Sequence, residues 1–208
     1  MRLWNRSVSG GMIPGLCSSM GALLLLADSQ LLFRKDKAPG FHRMMQTRFA
    51  DPVEMAYVGA ANDNDPVFYE LAREGVNSLL GRDCRSCFVR HESELPPPCP
   101  LVVLAGGNVA QGWQMIGQVS VRDWLMRCRD LADSVVMGIS AGAIHLASGV
   151  DPEQPEKGVQ TFLDWFPYRV AVHEENEGWP SLGGGEGAGI ALGEGIWADG
   201  VEHRTLPF

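Results

Sequence analysis

No apolar run in this sequence approaches the roughly 20 residues that a membrane-spanning helix needs. The stretch Gly21-Ala22-Leu23-Leu24-Leu25-Leu26-Ala27 is too short. Arg2 and Arg6 precede it as they would a secretory signal, but Pro14, the intervening glycines and Asp28 fit that pattern poorly. It reads better as a buried strand. An excess of positive charge is also missing: 17 Lys and Arg stand against 25 Asp and Glu, a formal net charge of −8. Nucleic acid and anionic membrane surfaces are therefore not expected partners.

Nor is there a cysteine framework. The five cysteines (Cys17, Cys84, Cys87, Cys99, Cys128) are odd in number and irregularly spaced. Cys84-Arg-Ser-Cys87, with His91 and Cys99 nearby, offers a zinc or redox pattern. It lacks a second CxxC, and Pro96-Pro97-Pro98 stiffens the approach to Cys99. Reduced thiols around a strand and loop are the simpler reading, with no metal, no cofactor and a cytoplasmic location expected.

What is present is an ordinary globular composition, 45% hydrophobic and 20% charged over 208 residues. We expect a flexible segment over residues 1–20 and one domain over residues 21–208. Along that domain, short apolar runs alternate with helical patterns. Strands are expected at Leu23 to Leu26, with a sequel at Gln30 to Phe33, then at Val53 to Ala60, Phe88-Val89, Leu101 to Leu104 and Val135 to Gly138. Helices are expected after Asn62-Asp63-Asn64-Asp65-Pro66 as far as Gly81, over Val109 to Ile116, and over Val121 to Leu131. This alternation predicts an α/β fold, a three-layer α/β/α sandwich with a mainly parallel central sheet. Function in such folds gathers at the carboxyl ends of the strands.

One strand end carries the strongest signal. Val135-Val136-Met137-Gly138-Ile139-Ser140-Ala141-Gly142-Ala143 reads as a strand, a Gly-x-Ser-x-Gly turn and a small-residue helix start. The geometry would push the Ser140 hydroxyl out at the sheet edge, and a Cβ at either flanking glycine would crowd the turn. The competing reading is a serine that only caps a helix.

A nucleophilic serine needs a base. His145 lies on the helix that Ser140 opens and reads as a packed or capping histidine, while His42, His91 and His203 read as solvated surface groups. His173 follows the strand-like run Trp165 to Val172 and precedes Glu174-Glu175-Asn176-Glu177, a strand-end position suited to a base. For the acid that would orient His173, Glu194 leads, as a lone carboxylate among glycines. Asp151 is the rival, and Glu153, Glu156 and Asp164 are weaker candidates. The Gly107 and Ala141 N–H groups could form an oxyanion hole, with Gly106 and Asn108 contacting substrate.

This set of motifs resembles the serine peptidase family of aspartyl dipeptidase (peptidase E) and cyanophycinase, whose fold is similar to class I glutamine amidotransferases, a flavodoxin-like arrangement. Four segments carry the resemblance in order: Ala105-Gly106-Gly107-Asn108 with Gln111, Gly138-Ile139-Ser140-Ala141-Gly142-Ala143, Phe166-Pro167 followed by His173, and Leu192-Gly193-Glu194-Gly195-Ile196-Trp197. It implies Ser140 as nucleophile, His173 as base and Glu194 as its partner, in a hydrolase that cleaves a small peptide or amide, with a homodimer by analogy. An amidase or esterase with the same machinery, or a catalytically silent binding module, are the alternatives. Two departures stand out. Ala105 replaces a glycine, and only 20 residues separate His173 from Glu194, none of them Arg or Lys. Family members carry there a longer segment with an arginine-bearing helix that helps form the substrate pocket.

Overall fold

The structure, a computed structural model, describes residues 20–183 and 186–207. All but Met20 of the segment expected to be flexible therefore lies outside the described residues.

The central layer is a seven-stranded sheet. Its parallel part comprises β1 (Ala22–Leu26), β2 (Glu54–Val58), β3 (Arg85–Val89), β4 (Leu101–Leu104) and β5 (Val135–Ile139), in the order β1-β5-β4-β2-β3. Strands β1, β4 and the first four residues of β5 are buried, as continuous apolar runs covered on both faces should be. The helical elements between them are α1 (Gln30–Phe33), α2 (Pro39–Arg48), α3 (Pro66–Leu80), α4 (Val109–Ile116), α5 (Val119–Arg129) and α6 (Ala141–His145). Helix α3 follows its sequence signals closely. Asp65 caps it through the Val67 N–H, Pro66 occupies its first turn, and Gly81 ends it in the left-handed region at φ +67°.

A second sheet forms after α6, from β6 (Ser148–Val150), β7 (Val159–Thr161), β8 (Arg169–Val172) and β9 (Gly187–Ile190), in the order β7-β6-β8-β9. The chain then returns to the central sheet, where β10 (Gly195–Asp199) pairs antiparallel with β1 and β11 (Glu202–Leu206) pairs antiparallel with β10.

Two expectations are corrected. Gln30 to Phe33 is a single helical turn, started where Asp28 Oδ1 accepts the Gln30 N–H at 2.7 Å, and not a strand. His42 is fully buried on α2 and donates from Nε2 to the Leu31 carbonyl at 2.8 Å, so it ties α2 to α1. The strand before His173 belongs to the small sheet. Among the described residues, no group of three or more His, Cys, Asp or Glu side chains is arranged to hold a metal. Burial pushes the Cys84 and Cys87 thiols up from their ordinary range, which disfavours the thiolate a metal or a redox partner would need. No helix among them is long and apolar enough to cross a membrane.

His145 is packed, as expected. It is fully buried between the Trp113 and Phe162 rings, donates from Nε2 to the Val109 carbonyl at 2.8 Å, and has a buried, unpartnered Nδ1. Burial holds its pKa down at about 4, against 6.5 in the unfolded chain. Between those values the unfolded state binds the extra proton, so stability is complete above pH 6.5 and falls as the pH drops towards 4. The loss attributable to His145 should approach roughly 3 kcal/mol. Denaturation midpoints at pH 7.5 and 4.5 should differ more in the wild type than in His145→Gln.

Candidate active site

The Gly-x-Ser-x-Gly turn is built by close approach. A Cβ on Gly138 would lie 2.3 Å from the Gly142 carbonyl oxygen, and one on Gly142 would lie 2.3 Å from that of Leu104. Neither contact can exist, so α6 sits directly on β4 and β5 only because both positions are glycine. Ser140 itself takes φ +52° and ψ −112°, with its N–H on the Leu26 carbonyl at 2.8 Å. A non-glycine residue there is strained, and the surrounding contacts hold it.

His173 directly follows β8 and is also left-handed, at φ +64°. Its N–H reaches the Ile190 carbonyl of the neighbouring strand at 3.4 Å. The two strained residues meet: Ser140 Oγ and His173 Nε2 are 3.2 Å apart, in hydrogen-bonding geometry. The central sheet supplies one member and the small sheet the other.

The glycine loop after β4 lies against this pair. A Cβ on Gly106 would come within 3.2 Å of the Ser140 Cβ. Gly107 takes φ +135°, where only glycine fits, because a Cβ would sit 2.0 Å from the Ala61 carbonyl oxygen. The Asn108 N–H donates to that same oxygen at 2.7 Å. Asn108 caps α4 by accepting the Gln111 N–H at 2.7 Å, and its Nδ2 donates to Glu153. Its side chain is therefore engaged within the protein.

The acids behave differently from one another. Asp151 is buried and accepts from the Glu153 N–H at 3.0 Å and from Gln154 Nε2 at 3.2 Å, so it braces its own turn. Glu194 is exposed in the turn before β10, with its backbone held by Ala191 and Ala27. Asp28 Oδ2 fixes the same turn by accepting the Gly193 N–H at 2.7 Å. Among the described residues, no hydrogen bond joins His173 to Glu194 or to Asp151. A cleft of about 690 Å³ opens over Ser140 and His173, lined also by Gly107, Ala141, Asp151, Glu153, Glu174, Glu177 and Ser181. Glu174 accepts from the Ser181 N–H at 3.0 Å and from its hydroxyl. Ser181 was not singled out from the sequence, and Glu153 only as a weaker candidate for the orienting acid. The acidic run after His173 was the visible signal for Glu174 and Glu177.

No family model matches the sequence, and no curated protein is found to be similar to it. Solved structures are. The chain superposes on a peptidase from an acI-B1 actinobacterium with a TM-score of 0.66 at 12% identity, covering 92% of this chain and 89% of that one. A protein from Listeria monocytogenes EGD-e, described provisionally as a peptidase E, superposes with a TM-score of 0.65 at 16% identity, covering 91% of this chain and all of that one. The chain has the peptidase E-like fold.

Proposed function

We propose that this protein is a serine hydrolase of the peptidase E type, cleaving a small peptide or amide bond. The observation that carries the reading is the 3.2 Å hydrogen bond between Ser140 Oγ and His173 Nε2, two residues that line the cleft. Strain at both residues supports it, because left-handed non-glycine residues concentrate where function demands their orientation. The neighbours in fold are peptidases, and that favours amide over phosphoryl or glycosyl chemistry.

In this reading His173 Nε2 takes the hydroxyl proton as Ser140 Oγ bonds to the substrate carbonyl carbon. The carbonyl electron pair moves onto oxygen, and the Gly107 and Ala141 N–H groups, which meet no backbone acceptor among the described residues, hold that oxyanion. Collapse breaks the C–N bond, and the leaving amine carries away the proton from His173. Water, deprotonated by His173, then releases the acyl group from Ser140.

The proposal rests on the Ser140–His173 pair. Glu194, exposed and unbonded to His173, would orient the imidazole only weakly from this position. Glu194→Gln should therefore lower kcat/KM by no more than about 10-fold.

The test is hydrolysis of a panel of dipeptides, amino-acyl amides and esters by the wild type. Turnover with a burst of leaving group equal to the enzyme concentration is expected. Ligand-induced stabilisation without turnover of any compound would overturn the proposal and indicate a silent binding module.

A further inference from the structure

The cleft around Ser140 carries charge of one sign. Asp151 and Glu153 contribute from the turn after β6, and Glu174 and Glu177 from the segment after β8, while no Lys or Arg among the described residues lines the cavity. Among the described residues, every ion pair within 4.0 Å lies elsewhere in the molecule. Asp151, Glu153 and Glu174 do have hydrogen-bond donors, but these are neutral amides and a hydroxyl. None of these donors carries a positive charge to offset the carboxylates. Asp151 is moreover 1% exposed, so water screens it poorly. A concave site with low-dielectric walls concentrates this potential on whatever reaches Ser140.

We infer that the substrate is cationic: a small peptide or amide whose acyl side bears a protonated amine or guanidinium side chain. An acidic side chain in that place would lie among four like charges with no cation to receive it. The inference rests on the Ser140–His173 reading of the cleft and supplies its specificity. Glu177 and Glu153, both exposed and both lining the cleft, are the specificity-determining residues.

Two experiments test it together. In the first, kcat/KM is measured for arylamides of lysine, arginine, norleucine and glutamate. Lysine and arginine should exceed norleucine, which is matched in size and uncharged, by about 30-fold or more, and should exceed glutamate by about 10³-fold. Raising the salt from about 50 to about 500 mM should compress both ratios. The double variant Glu153→Gln, Glu177→Gln keeps an acceptor for Asn108, and it should bring the lysine-to-norleucine ratio down to a few-fold. In the second experiment, argininamide, norleucinamide and glutamic acid amide are titrated into Ser140→Ala by calorimetry, where no turnover is required. Argininamide should bind most tightly. Turnover that is as fast on norleucine or glutamate as on lysine would overturn the inference and leave the hydrolase reading standing. Absence of turnover on every arylamide, with no preference for argininamide on the variant, would overturn both.

Discussion

Replacing Ser140 with alanine is expected to lower hydrolysis by about 10⁴-fold or more while the protein stays folded. The hydroxyl is the atom that bonds to substrate in this account, and the cleft's other hydroxyl, on Ser181, is hydrogen-bonded to Glu174 and not to His173. His173→Ala should cost nearly as much, because the hydroxyl then keeps its proton. The double variant should be no worse than either single one, since the two side chains act through one hydrogen bond. Folding should survive both changes, as Ser140 is only half-buried and His173 is exposed. The check is kcat/KM for the three variants beside their thermal midpoints. Additive losses would mean that the two residues work independently and would contradict the dyad.

The second large effect is expected at Gly107. An alanine Cβ would lie 2.0 Å from the Ala61 carbonyl oxygen, on a backbone at φ +135° that side chains rarely adopt. The loop must move, and it would take the Gly107 N–H and the Asn108–Ala61 hydrogen bond with it. Losing one oxyanion donor costs about 10²- to 10³-fold in kcat, and the forced contact adds about 1–3 kcal/mol of destabilisation. Gly158 is the matched control. It is also left-handed, at φ +66°, but an added Cβ there meets nothing within 4 Å. Gly158→Ala should cost only the backbone strain, about 1 kcal/mol, and leave kcat unchanged. Equal effects of the two substitutions on kcat would remove Gly107 from the oxyanion hole.

The contrast between these glycines shows what the sequence could and could not reveal. Gly138, Ser140 and Gly142 were legible because a strand, a tight turn and a small-residue helix start lie within nine consecutive residues. Their mutual clearance is local chemistry. Helix α3 was legible for the same reason, with its Asp65 cap and Gly81 stop flanking an amphipathic run. The mainly parallel character of the central sheet, though not its strand order, followed from the alternation of strands with helices.

What escaped depends on contacts between distant segments. Gln30 to Phe33 carries an apolar pattern that suits a strand, but Asp28 turns it into a helix by capping Gln30 while also holding Gly193, 165 residues away. His42 looks solvated beside its polar neighbours. It is buried because α2 packs against the Leu31 carbonyl. The small sheet rests on pairing between β6 and β8 and between β8 and β9, across irregular loops whose register no local pattern announces. The acid that would orient His173 falls in the same class. The motif around Glu194 is recognisable, yet among the described residues its carboxylate makes no hydrogen bond to the histidine, and Asp151 is spent on its own turn. Sequence spacing picked out the two residues that meet in space. It could not supply the third contact.

The central claim is that His173 activates Ser140, and intact mass after incubation with a fluorophosphonate tests it most directly. Wild type, Ser140→Ala and His173→Ala would be treated in parallel. The account predicts a single adduct on the wild type, none on Ser140→Ala, and labelling of His173→Ala slowed by at least about 10²-fold. A folded wild type that takes up no label, or one labelled equally fast without His173, would contradict it.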